Sequence, residues 1–405
     1  MATTQPRIAI IGAGPAGLVL LLTLHNRGIP ATIYERDSHA SERGLPSGPL
    51  DLGWTSGQRA LRENGLQDAF TANSRVEGHE YRMLDSQGNL LVYSNFEDVP
   101  KDDLRPEIDR PRLRQIMLDA VPSELIKWRY TLTSAKSLGD GTHQLAFGNG
   151  TTAVVDILIG ADGAHSRVRP LVSTERARYV GLNGPDLSLA PGVIEREDMA
   201  DLRALIGKGL MVAQDDDREL NAQLTSDGRV RGNAHFRAPE LWTAPPGGIE
   251  ALREELREVY KGWSPVLVKL IEHCEPDLTD RRPLYQLPVG HSWAHVRGVT
   301  LIGDAAHVMT PYAGAGANIS MLDGLELGLV ISKAVNEGAS DAERETAVAN
   351  WEKRMFAAAA QWAKVAEDNM EAMISPDAPA SAKARWELFL QEGGRQEDYS
   401  TGDAA

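Results

Sequence analysis

Apolar residues recur along this chain in three textures. In the first, every position of a short run is apolar: Ile8-Ala9-Ile10-Ile11, most of Thr151–Asp162 (TTAVVDILIGAD), and Val299–Ile302. Such runs predict strands buried on both faces, as in a parallel sheet. Ile29–Tyr34 predicts another, and Leu18–Arg27 before it is rich in helix formers. The second texture has helical spacing. Leu113, Ile116, Met117 and Ala120 mark an amphipathic helix over Ile108–Ala120 with Pro111 near its first turn. Leu61–Phe70, the Ala-rich Ala347–Met373 with Trp351, Phe356, Trp362 and Met370, and the shorter Ala382–Gln391 also read as helices. The third texture is a set of brief strand-like runs. Tyr81–Leu84 and Asn89–Tyr93 flank Asp85-Ser86-Gln87-Gly88 as a hairpin. Leu210–Ala213, Asn221–Leu224 and Val230–His235, with the amphipathic Ile249–Tyr260, predict an antiparallel sheet with helical cover between about 174 and 280.

The first strand runs into Gly12-Ala13-Gly14-Pro15-Ala16-Gly17, a G-x-G-x-x-G turn that opens a helix, and Glu35 follows Gly17 by 18 residues at the end of the next strand. Strand, glycines, helix, strand and acid in this order are the signature of a Rossmann-like dinucleotide site. The first glycine permits the tight turn and the second admits a pyrophosphate. The third lets helix and strand pack, and the helix N-terminus offers N–H groups to phosphate. Glu35 suits the hydroxyls of a ribose. Two further strand ends carry related chemistry: Gly160-Ala161-Asp162-Gly163, with Ser166 and Arg167 following, and Gly303-Asp304, followed by Pro311-Tyr312-Ala313-Gly314-Ala315-Gly316-Ala317-Asn318. The last is a second glycine-rich helix start, which points a positive dipole end at something electron-rich. His307 follows Asp304 by three residues and is expected to pack beside that turn.

Composition narrows the class. At 405 residues, with 42% hydrophobic residues, the chain exceeds one ordinary domain. A formal net charge of −15 argues against nucleic-acid binding and against an anionic membrane surface. The single cysteine, Cys274, permits no intrachain disulfide and fits a cytoplasmic location. Uncharged Ile8–Leu24 imitates a secretory leader, but the glycine fingerprint inside it favours the nucleotide reading. No metal-ligand spacing, P-loop or G-x-S-x-G occurs.

The three glycine-bearing patches, in this order and at these separations, resemble the class A flavoprotein aromatic hydroxylases, whose fold is that of p-hydroxybenzoate hydroxylase. Gly48-Pro49-Leu50-Asp51-Leu52, Ser56-Gly57-Gln58 and Pro311-Tyr312-Ala313-Gly314 with Gly316 look like the tetracycline-inactivating branch. The resemblance implies an α/β fold: a Rossmann-like FAD-binding domain (1–72, 100–173 and 281–335), an antiparallel-sheet substrate domain (73–99 and 174–280) and a C-terminal helical segment (336–395). It implies that Gly12, Gly14, Ala16, Gly17, Glu35 and Arg36 hold the ADP half of FAD, with Arg110, then Arg114, reaching the same cofactor. Asp162, Gly303 and Asp304 would serve the middle of the cofactor, and Pro311, Gly314, Gly316, Ala317 and Asn318 its flavin end. Arg43 would lie near the isoalloxazine, and His235 would face substrate; these two are the catalytic candidates. The implied activity is an NAD(P)H-consuming monooxygenase that uses O₂ on an aromatic or polycyclic secondary metabolite through a flavin C4a-hydroperoxide. A flavin dehydrogenase or reductase, Baeyer–Villiger or antibiotic-inactivating oxygenation, and a non-enzymatic carrier stay open as alternatives. The chain departs from the tetracycline-inactivating branch at Gly207-Lys208-Gly209-Leu210-Met211, where Lys208 is the only cation.

Overall fold

The computed structural model describes residues 5–40, 48–95, 97, 103–275 and 281–391. Its first layer is a five-stranded parallel sheet in the order Val299–Leu301, Ile157–Gly160, Ile8–Ile11, Ala31–Tyr34, Ile126–Lys127. The all-apolar Ile8–Ile11 lies at its centre and is buried throughout. The helix Pro15–His25 is apolar on every side because it is covered twice, by this sheet and by the helix Gly316–Asn336.

Two expected elements are divided. Thr151–Asp162 is two strands, Thr152–Val155 and Ile157–Gly160, in different sheets. Asp156 between them pairs with Arg7, its carboxylate accepting from Nε at 2.9 Å and Nη2 at 2.8 Å. That pairing turns the chain, so that Thr152–Val155 joins a three-stranded antiparallel sheet with His143–Phe147 and Leu132–Ser137. Leu61–Phe70 is likewise two short helices, Gly57–Arg62 and Gln67–Thr71, because Gly65 takes φ +75° and ends the first.

The second layer is a seven-stranded sheet in which Leu182–Asn183, Val230–Arg237, Arg218–Leu224, Leu210–Asp215, Tyr81–Leu84 and Leu90–Ser94 are neighbours in turn. Asp186–Leu189 also pairs with Val230–Arg237. The expected hairpin joins this sheet through one parallel pairing, Tyr81–Leu84 with Leu210–Ala213. Strand residues alternate faces. Leu187, Leu189, Met211, Ala213, Leu220, Ala222, Ala234 and Phe236 enter a core with the helices Ala200–Ile206, Ile249–Val259 and Pro265–Glu272. The alternate positions include Asp186, Ser188, Gln214, Glu219, Asn221, Asn233 and His235, so the opposite face is polar there, with the buried Val212 and Met83 as apolar members.

The C-terminal helix, Asp341–Met373, starts with a capping box between Ser340 and Glu343 and runs 33 residues, about 50 Å. Trp351, Met355, Trp362 and Ala366 anchor it in the first layer's core. Removing the fully buried Trp351 side chain is expected to cost about 3–5 kcal/mol. Met370 and Ile374 reach Leu182 at the edge of the second layer. The chain then turns back through Ala380–Gln391, which places Trp386 on Tyr81 with ring centroids 5.1 Å apart.

Candidate active site

Each glycine of the first turn answers to a separate contact. Gly12 has φ +107°, and a Cβ there would lie 2.4 Å from the Ala161 carbonyl oxygen. A Cβ on Gly17 would lie 2.1 Å from the Gly12 carbonyl oxygen. Gly14 meets nothing within 4 Å, so its surface is open. The helix begins there without a side-chain cap, and among the described residues the N–H groups of Gly14, Ala16 and Gly17 have no acceptor. Glu35, 1% exposed, accepts from the Ala13 N–H at 2.5 Å and the Asp37 N–H at 3.1 Å, and so ties the next strand's end to the turn. Arg36 beside it is exposed. Asp162 abuts Gly12 and accepts from the Arg167 N–H at 2.7 Å, while burial pushes its carboxyl up.

The Gly303-Asp304 turn is held against this first one. Gly303 has φ +60°, and a Cβ there would meet Ser320 Oγ at 2.9 Å and the Ala16 Cβ at 3.2 Å. Buried Asp323 accepts from the Gly303 N–H at 2.9 Å and pairs with His307 Nε2 at 2.6 Å. Buried Arg169 donates to the Ala305 carbonyl at 2.8 Å and the Asp304 carbonyl at 3.1 Å. His307 thus packs beside the turn, as expected, and does so through a buried acid.

Asp304, Arg110 and Asp51 share an unusual combination. Their side chains are open or half-open to solvent, yet protein mass surrounds them closely enough to raise the two carboxyls and lower the guanidinium. Deep cleft walls have this property. Arg110 interacts with both Asp304 and Asp51 across the cleft, which opposes the burial effect. Arg114, by contrast, is 7% exposed and spent on protein contacts: Asp37 at 2.9 Å, the Ala40 carbonyl at 2.8 Å and the Ala13 carbonyl at 3.3 Å.

At the second glycine-rich start, Gly314 takes φ +59° after the short Pro311–Ala313 turn, and its carbonyl accepts from Arg105 at 2.9 Å. The N–H groups of Gly316 and Ala317 have no acceptor among the described residues. Asn318 is committed elsewhere. Its oxygen accepts from Gly53 N–H (2.8 Å), Ser56 Oγ (3.0 Å) and Gly57 N–H (3.3 Å), and its nitrogen donates to the Asp51 carbonyl (2.7 Å). This staple joins the 48–58 stretch to the helix start and leaves Asn318 only its backbone N–H to offer.

The two helix starts face one cleft. A Cβ on Gly324 would lie 2.4 Å from the Ala16 carbonyl oxygen, and one on Gly328 would lie 2.6 Å from Thr23 Cγ2, so the two helices run parallel in close contact. Gly316 precedes Gly324 by eight residues, which sets it about 12 Å beyond Ala16 along the shared axis. Gly303-Asp304 sits between. An elongated ligand with phosphates at one end and an electron-rich ring at the other fits this layout. The polar face of the second sheet lies on the same side of the molecule: His235 is within electrostatic reach of Arg282, which in turn is within reach of Arg110. His235 itself is 4% exposed, and burial holds it down to about 4, so it is neutral at pH 7.

Arg43 lies outside the described residues. Sequence reasoning missed Arg169, Asp323 and Arg105, and gave Asp51 no role beyond a family motif; these residues shape the cleft through backbone contacts that leave no spacing signature. It also passed over Gln214 and Glu219. Their positions in period with Asn221, Asn233 and His235 were the available signal. Among the described residues, no helix is long and apolar enough to cross a membrane.

A family model described as an FAD binding domain matches residues 292–361. The monooxygenase penA of Penicillium thymicola is 33% identical over 373 residues, covering 80% of this chain and 84% of that protein. Klebsiella pneumoniae HpxO, solved with FAD and uric acid, superimposes with a TM-score of 0.78 at 22% identity over 98% of both chains. The tetracycline destructase Tet(51) superimposes with a TM-score of 0.70 at 19% identity over 96% of each. With so extended a match to a monooxygenase, and a cleft that fits an elongated nucleotide cofactor, the chain belongs to the class A FAD-dependent monooxygenases, oxidoreductases that use FAD with NAD(P)H as reductant.

Proposed function

We propose that this enzyme places one oxygen atom from O₂ on an aromatic or polycyclic secondary metabolite, by hydroxylation or epoxidation. One observation carries the reading: two parallel helix starts, offset by about 12 Å and bracketing Asp304, lie on the same side of the molecule as the polar face of a sheet. Gly12, Gly14, Ala16 and Gly17 would receive the pyrophosphate, and Glu35 and Arg36 the adenosine ribose. Asp162, Gly303 and Asp304 would hold the middle of FAD, with Arg110 reaching across. Pro311 and Gly314 would shape the flavin end, where the N–H groups of Gly316, Ala317 and Asn318 lie. FAD, when bound, supplies the oxygen-activating chemistry.

The chain's own part is electrostatic and steric. The helix start at Gly316 would present positive potential to a bound flavin ring, which carries negative charge when reduced. The second sheet, the Pro311–Ala313 turn and the end of the long helix would border the substrate beside the bound cofactor and limit water there. The 1–72, 100–173 and 281–335 segments would form the cofactor domain, and 73–99 with 174–280 the substrate domain.

The test is isotopic. Purified holoenzyme is screened with phenolic, polyketide and alkaloid metabolites under ¹⁸O₂ while NAD(P)H oxidation is followed. The expected result is one ¹⁸O per product molecule for the substrates that accelerate NAD(P)H use. Accelerated oxidation with no labelled product across the panel would favour the dehydrogenase or reductase reading instead.

A further inference from the structure

The polar face of the seven-stranded sheet is hydrogen-bonded within one row and not within the next. In the satisfied row, Asn233 donates to Asp186 at 2.5 Å, and Asn221 accepts the Asn233 backbone N–H at 2.8 Å. The Asn221 amide then donates to Glu219 Oε1 at 2.7 Å. Two residues along the strands, Gln214, Glu219 and His235 stand directly opposite one another on three adjacent strands. Their exposures are 0%, 3% and 4%. Among the described residues, neither amide atom of Gln214, neither ring nitrogen of His235 and not Glu219 Oε2 has a hydrogen-bond partner. Tyr312, from the turn just before the Gly316 helix, lies beside Glu219 without a well-aligned hydrogen bond. Tyr81 is within electrostatic reach of Glu219, and Arg282 of His235.

A buried polar group without a partner costs about 1–3 kcal/mol, so Gln214 and His235, with no partner at all, and Glu219, with one oxygen unpaired, would be cheaper as apolar residues. The adjoining row shows that this sheet can satisfy its polar residues internally. We infer that Gln214, Glu219 and His235 form a specificity row for an uncharged substrate group that carries both a donor and an acceptor, a lactam or carboxamide, and that they exclude a carboxylate. A primary amide presents one donor edge and one acceptor edge, which complement those of a lactam. Neutral imidazole offers the same pair. Burial raises Glu219 to about 7, so its carboxyl also donates for part of the time at neutral pH. The nearby cations are already paired: Arg282 with Asp186 at 2.6 Å, and Arg237 with Asp217 at 3.2 Å. A buried carboxylate here would have no counter-charge and would stand beside Glu219.

The inference rests on the monooxygenase reading only in calling the bound molecule a substrate; the selectivity is a binding property. The FAD-loaded protein is titrated with 2-quinolone, quinoline-2-carboxylate and naphthalene, with dissociation constants read from the flavin spectrum. Expected is at least tenfold tighter binding of 2-quinolone than of either other probe. Gln214→Met keeps the side chain's length and removes its polar atoms. It is expected to raise the melting temperature and to bring the three constants within threefold. Equal or tighter carboxylate binding, no binding of 2-quinolone, or a Gln214→Met protein that melts lower or keeps the preference would each overturn the assignment. Selective binding without ¹⁸O transfer to any product would overturn the monooxygenase reading and leave this one standing.

Discussion

Gly14 and Gly17 stand three residues apart in one turn and are glycine for opposite reasons. Gly17 has backbone 2.1 Å from where its Cβ would be, whereas Gly14 has open space and an ordinary φ of −79°. Gly17→Ala is therefore expected to cost at least about 3 kcal/mol and to accumulate poorly as folded protein. Gly14→Ala should leave the melting temperature of the FAD-free protein within a degree. Its FAD affinity should fall at least tenfold, about 1.4 kcal/mol, as measured by flavin fluorescence titration. Asp304 gives a simpler forecast: Asp304→Ala should purify colourless, and retention of a full complement of yellow cofactor would remove the residue from the site. Asp323→Ala strands two buried donors, the Gly303 N–H and His307 Nε2, and should lower stability by about 1–3 kcal/mol while loosening the turn that carries Asp304. At this scale the sequence was most readable where chemistry dictates a residue type at a fixed spacing, as with the three glycines and Glu35. It was least readable where a side chain works on a distant backbone. Nothing in the spacing of Asp323, Arg169 or Asn318 announces a partner far along the chain.

Elements were legible where the apolar pattern matched the burial of the whole element. The strands Ile8–Ile11 and Val299–Leu301 and the long helix ending at Met373 fall close to where their apolar patterns put them. Thr151–Asp162 read as one strand because its apolar run is nearly continuous; only the pairing of Asp156 with Arg7 divides it. The parallel contact of the two glycine-started helices depends on Gly324 and Gly328, which look unremarkable in a helical pattern. The long helix has its own electrostatic anchor. His295 Nδ1 meets Glu352 at 2.8 Å and Nε2 meets Glu345 at 3.2 Å, and these hydrogen bonds raise His295 to about 9. A folded-state pKa above the unfolded 6.5 means the stabilisation is complete below about pH 6.5 and is lost as pH rises through about 9. The melting temperature should accordingly drop by a few degrees more between pH 7 and pH 10 in the wild type than in His295→Gln. Parallel pH profiles for the two proteins would remove His295 from that role.

At the scale of the whole molecule, two cores that hardly mix are joined by polar seams around the cleft. Arg75 donates to the Leu224 carbonyl at 2.7 Å and pairs with Glu107 at 3.1 Å on one side. Arg237 donates to the Ile374 carbonyl at 3.1 Å, and the Asp217 N–H to the Ser375 carbonyl at 3.1 Å, on the other. The second seam ties the C-terminal segment to the second layer. Trp386 and Ala382 then cover Tyr81, Met83 and Val92 at one edge of the sheet. None of these contacts touches the glycine turns that would hold the cofactor. Ending the chain after Ile374 should therefore leave FAD bound, because both helix starts and Asp304 keep their neighbours. The same truncation uncovers Tyr81 at the edge of the second sheet and is expected to admit water to the proposed substrate face. The expected signature is near-normal flavin content with a larger share of NAD(P)H oxidation released as hydrogen peroxide rather than captured in product. Loss of flavin on truncation would instead show that the C-terminal segment supports the cofactor cleft itself.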